Sequence, residues 1–352
     1  MKIFRSISCL CLIWGLLVCL TGCPQTTDTT EPRGMAYYSY FDTVSYIYSY
    51  AGDSDELFSA RTEAAADILG EYHRLFDIYH EYSGTVNLCT LNKNAGGEAL
   101  KVDRKLIDFL LYARELYELT GGEMNVMMGS VLILWHDCRT AASSDPSKAS
   151  IPSPELLNDA AKHVSFSSLE INEDECTVRI SDAKARIDVG ALGKGYATEM
   201  AARKLESIGA VSYVLNIGGN IRIVGSKPDS TGWRTGIKDP LDPDTYAEYL
   251  DLANTSCVTS GIYERFFTVG GVQYHHIIDK DTLMPSEHFA SVSVITKNSG
   301  LADALSTALF TMSYEDGLAL VTSIGEVDVL WVTHDGEKLM TDGMKALITE
   351  QQ

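Results

Sequence analysis

Three short segments carry residues whose types and spacing suit chemistry on a phosphate. In DVGALGKG, Asp188 and Lys194 stand on either side of a turn rich in glycine. Backbone N–H groups and a helix N-terminus at such a turn favour an anion, and an acid with a base there suits a metal or ribose beside a phosphate. In LADALSTAL, Asp303 and Thr307 are spaced i,i+4, so they share one helix face. A carboxylate and a hydroxyl oxygen at that spacing suit a hard cation such as Mg2+. In YHHIID, strand periodicity puts His276 with Ile278 and His275 with Ile277, so one histidine faces the core or a cleft. Asp279 adjoins it, and a general base can come from this segment. Each segment alone also has a purely structural account: a tight connection, an acid in a helix's first turn, a core histidine.

The elements that must position these residues follow from periodicity. Asp188 is expected to end an apolar strand, with a helix from Lys194 to about Ile208 and a glycine turn at Gly218-Gly219-Asn220 closing the next strand. Tyr37 to Tyr50 reads as one strand, and Asp55–Phe76 and Val102–Leu119 as helices. Glu123 to Trp135 reads as a turn into a short helix, and 136–158 as a surface loop. Strands are expected near Trp233–Ile237, Val258–Thr259, Glu264–Val269, His275–Asp279 and Ser291–Ile295. Helices at Leu301–Phe310 and Tyr314–Ser323 and a strand at Val327–Val332 follow. One mixed α/β arrangement around one core accounts for this order. Two familiar nucleotide motifs are excluded. Gly195 follows Gly193-Lys194 where a P-loop needs Ser or Thr, and the glycine spacing is not GxGxxG.

Composition narrows the setting. With 352 residues, 45% hydrophobic, and a formal charge of −20, the chain can bury a core and repels nucleic acid. Lys2 and Arg5, an apolar run from Ile7 to Leu20, and Leu20-Thr21-Gly22-Cys23 read as a lipoprotein signal over residues 1–22. Cleavage before Cys23 would leave a lipid on its sulfur, a tether over 23–34 and a domain over 35–350, held at the extracytoplasmic face of a cell membrane. Cys89, Cys138, Cys176 and Cys257 form no CxxC pair, and buried free thiols are expected.

Taken together and in order, these segments resemble the ApbE family of FAD:protein FMN transferases. DVGALGKGYA is similar to the family's Asp-x-Gly-(Gly/Ala)-x-(Ala/Gly)-Lys-Gly-Tyr-Ala segment, and NIGGN to its Asn-x-Gly-Gly-Asp turn. HIID is similar to His-x-Ile-Asp, ADALSTAL to Ala-Asp-Ala-x-x-Thr-Ala, and TGGEMNVMMGSVLILW to a Thr-Gly-Gly segment ending in Gly-x-Leu. The resemblance runs from about Tyr37 to Thr349. It implies an α+β domain with mixed sheets, helices and a central FAD cleft. The activity it implies is Mg2+-dependent transfer of FMN from FAD to a threonine or serine hydroxyl of an acceptor flavoprotein, with AMP released. That acceptor would belong to a membrane or extracytoplasmic redox system.

By resemblance, the metal is held at Ala191, Asp303, Ser306 and Thr307, and FAD by Asp188, Lys194, Glu123, Met124, Asn125, Ile277, Phe41 and Tyr79. His276 is the candidate base, with Asp279 second. Asn220 stands where the family has an acid, Lys280 where it commonly has proline, and Leu283 where it has glycine, so a different turn is expected after Asp279. Hydrolysis of FAD to FMN and AMP is the alternative activity. A lipoprotein that binds flavin without chemistry is a third reading, which Asp303 and Thr307 argue against.

Overall fold

The computed structural model describes residues 32–242 and 244–349. The signal segment, Cys23 and the tether's first part lie outside the described residues. Among those described, no helix is long and apolar enough to cross a membrane.

An eight-stranded antiparallel sheet runs through the molecule. Its order is Arg33–Tyr40, Thr43–Ser49, Tyr213–Ile217, Asn220–Val224, Ser256–Gly261, Ser291–Thr296, Asp328–Val332 and Lys338–Met340. Every residue of Ser291–Thr296 is buried, which follows from cover on both faces. Val258, Val292, Val294 and Trp331 pack against helices on one face. Cys257, Ile295 and Leu330 meet the hairpin Trp233–Lys238/Tyr246–Leu252 on the other.

Three helices stack in series on the helical face. Asp55–Phe76 packs on Gly193–Ser207, which packs on Ser299–Thr311, which lies against the central strands. Ser54 caps the first, its hydroxyl accepting from the Leu57 N–H, and Asn298 caps the third in the same way at Leu301. The middle helix gets no capping hydrogen bond from the side chain of its N-cap residue, Leu192, which is apolar.

Four local expectations change. Tyr37 to Tyr50 is a hairpin, broken at Phe41 and Asp42, whose φ values of 54° and 52° reverse the chain. The expected loop after Trp135 continues the helix Gly129–Ser144, because Trp135 and Ala142 are buried against the hairpin Phe266–Val269/Val272–His275 and the helix Pro154–Ala160. The segment ending at Asp188 is extended but joins no sheet. It makes one parallel bridge, Arg186 with Met128, and the Asp188 N–H donates to Val126 O, while the Asn92 side chain accepts from Ile187 N–H at 2.7 Å and donates to Ile187 O at 2.9 Å. The strand expected over His275–Asp279 stops at His275, since the chain turns to form the Ile278–Pro285 bridge. The turn after Asp279 holds Leu283 at φ 60°, a left-handed backbone that leucine seldom adopts. Its buried side chain and the bond from Trp135 Nε1 to its carbonyl offset the strain.

The four cysteines are free, Cys89 and Cys257 buried as expected and Cys138 and Cys176 only partly so.

Candidate active site

A cleft of about 1150 Å³ opens between the helical stack, the strand Ser256–Gly261 and the hairpin that ends in His275. Phe41, Tyr79, Glu123, Met124, Asn125, Asp188, Ala191, Lys194, His276, Ile277, Asp303 and Thr307 all line it. Asp279 and Ser306 do not. Asp279 accepts from the N–H groups of Asp281 and Thr282 and so shapes the turn. Ser306 is fully buried behind Thr307.

One wall joins the lysine and acid helices. The Gly195 N–H donates to Asp303 Oδ2 at 2.8 Å, so an acid from another helix supplies the missing cap. A Cβ at Gly195 would stand 2.3 Å from Asp303 Cβ and 2.4 Å from Ser299 O, so only glycine permits this approach. One turn on, the buried Glu199 accepts from Ser299 N–H and from Arg222, gripping the start of the acid helix. Asp303 Oδ1 keeps no hydrogen bond among the described residues, and Asp303 and Thr307 both line the cleft. Oxygen donors of this kind fit Mg2+, which leaves further positions to water and phosphate. Among the described residues no three His, Cys, Asp or Glu side chains cluster as metal ligands. The Asn220 side-chain oxygen, buried at the cleft's edge, also lacks a partner among them.

The opposite wall is made by irregular segments. His276 Nδ1 lies 3.2 Å from Arg265 O, which can only accept, so the proton sits on Nδ1 and Nε2 carries the lone pair. Burial first, then the Arg265 and Arg139 guanidiniums, push this imidazole down to about 3, so it is neutral near pH 7. Burial also lowers His136, whose Nδ1 lies 3.2 Å from both Tyr79 Oη and an Arg139 nitrogen. Asp188 is raised by burial, opposed by the Gly190 N–H and by His136, Arg265 and Arg139 nearby. His275, by contrast, has both ring nitrogens engaged, with Ser286 O and Ile277 N–H, and serves the core.

The ApbE family model matches residues 41–331. The chain belongs to the ApbE family. It is 33% identical over 263 residues to the FAD:protein FMN transferase of Treponema pallidum, covering 70% of this chain and 71% of that one. The enzyme of the same description from Vibrio cholerae is 29% identical across 92% of this chain and 93% of its own. Among solved structures, the ApbE protein of Thermotoga maritima superposes with a TM-score of 0.80 at 26% identity, over 91% of this chain and all of that one. The flavin transferase ApbE of Vibrio cholerae gives 0.73 at 25% identity, over 90% and 100%.

Within this ApbE cleft, three features escaped the sequence reading. Arg139 and Arg265 lie far from the motifs, and only the hairpin and the longer helix bring them to His276. Ser260 follows Thr259 at a strand end and carries no spacing signal. Lys280, noted only as replacing a proline, pairs with Glu123 at 3.3 Å, while Thr311 donates to the other oxygen of that carboxylate.

Proposed function

We propose that this cleft transfers the FMN half of FAD onto a threonine or serine hydroxyl of an acceptor protein and releases AMP. The observation that carries this reading is the convergence of Lys194, Asp303, Thr307 and His276 on one cavity large enough for a dinucleotide. The acceptor oxygen attacks the FMN-side phosphorus, a new P–O bond forms, and the P–O bond to AMP breaks. His276 Nε2 takes the hydroxyl proton, the neutral imidazole with Nδ1 already committed being suited to that step. Lys194, in the first turn of its helix and lining the cleft, holds phosphate oxygens and offsets their charge. Asp303, Thr307 and the backbone at Ala191 would hold Mg2+, which when bound neutralises charge on the phosphoryl group. Asp188, Glu123, Met124, Asn125, Ile277, Phe41 and Tyr79 position the rest of FAD. Cys23 carries the lipid that keeps the enzyme at the outer face of the membrane, where its flavoprotein acceptors reside.

The test incubates the mature protein with FAD, Mg2+ and a domain bearing an acceptor threonine. AMP release with an FMN mass added to that domain is the expected result. AMP with free FMN and no adduct would assign hydrolysis instead. Tight FAD binding without AMP would overturn both.

A further inference from the structure

We infer that Ser260 is a positioning residue that turns the lone pairs of the Thr307 hydroxyl toward the cation. This rests on the reading of Asp303 and Thr307 as metal ligands. The argument is one of hydrogen-bond direction. Ser306 Oγ lies 2.9 Å from Asp303 O, a carbonyl that can only accept, so the single Ser306 proton is spent there. Ser260 Oγ, 2.8 Å from Ser306 Oγ, must then be the donor in that pair. With its proton used, Ser260 can only accept from Thr307 Oγ1 at 3.4 Å. A directed chain results: Thr307 to Ser260 to Ser306 to the Asp303 carbonyl.

The consequence concerns what Thr307 shows to the cleft. A helical threonine ordinarily donates to the carbonyl three or four residues back. Here Thr307 Oγ1 makes no such bond among the described residues, and Ser260, from the neighbouring strand, offers the acceptor instead. The Thr307 proton therefore points at the strand, and its lone pairs face the side where Asp303 Oδ1 also lies. A hydroxyl turned the other way would present a proton to a divalent cation. Ser306 acts through the same chain without reaching the cleft, which explains a fully buried hydroxyl beside two proposed ligands.

The experiment titrates Mn2+ into the mature protein with FAD present and acceptor absent, reading free Mn2+ by electron paramagnetic resonance. Ser260→Ala is expected to weaken Mn2+ binding about tenfold, the low end for residues that orient metal ligands. The Mg2+ concentration for half-maximal flavin transfer should rise by the same factor, with the rate at saturating Mg2+ largely restored. Ser260→Thr, which keeps the hydroxyl, should bind as wild type. Ser306→Ala frees the Ser260 proton to point at Thr307 and should weaken Mn2+ in the same direction. Wild-type affinity in Ser260→Ala, with or without a lower melting temperature, would overturn the inference. Absence of Mn2+ binding in the wild type would sink the cation reading itself and this role with it.

Discussion

The two walls of the cleft are built differently. The Asp303 wall rests on two buried helices locked by Gly195, Glu199 and Arg222, with Asp303 4% exposed. The His276 wall rests on a two-stranded hairpin, a turn and the exposed Tyr79, with its cations drawn from distant segments. Groups that must hold fixed charge sit where packing fixes them. The contrast predicts that damage to the first wall affects cation, stability and rate together, whereas damage to the second affects rate with the substrate complex kept.

Asp303→Ala offers the largest break. It should lower Mg2+-dependent transfer by about a thousandfold, since a preorganised charge at the phosphoryl group is lost. Steady-state rates across a Mg2+ titration measure it, and an unchanged rate would move the metal elsewhere. Next comes Glu199→Ala, which leaves the buried Arg222 with Glu206 as its one remaining carboxylate partner among the described residues and frees Ser299 N–H. A loss of about 3 kcal/mol in denaturant unfolding is expected, and a loss within error would show that the helix grip is incidental.

On the other wall, His276→Ala should slow transfer by about a hundredfold while FAD binding, followed by flavin fluorescence, stays near wild type. Normal transfer would exclude it as the base. The same residue shapes stability against pH. Its folded value lies below the ordinary histidine value of 6.5, at about 3, so the unfolded chain gains a proton first as pH falls. Stability is therefore fully present above about 6.5 and declines below it, and His276→Asn should make that decline shallower in unfolding curves measured between pH 7 and 4. The smallest effect belongs to Lys280→Met. Its partly exposed pair with Glu123 contributes about 1 kcal/mol, so a rise of a few-fold in the KM for FAD with kcat unchanged is expected.

The same contrast separates what could be read in the chain from what could not. Asp188, Lys194, Asp303, Thr307 and His276 sit in contiguous segments whose local period and order carry the resemblance, so they were legible. The helices Asp55–Phe76 and Ser299–Thr311 were legible for the same reason, through apolar spacing and capping. Contacts between distant segments were not. Asn92 holds the Ile187 backbone 95 residues away, and Arg139 and Arg265 meet only after the hairpin packs on Trp135. Leu283 shows the limit of residue-type rules. Leucine is a poor residue type for a φ of 60°, yet burial and one hydrogen bond sustain the left-handed backbone.

The central claim is that cation, phosphate and base meet in one cleft fed from both walls. A crystal of the mature protein grown with FAD and Mn2+ tests it most directly. The account predicts an anomalous peak within coordination distance of Asp303 Oδ1 and Thr307 Oγ1, with the FMN-side phosphorus between that peak and His276 Nε2. A manganese peak away from Asp303, or FAD bound with its diphosphate turned from His276, would contradict it.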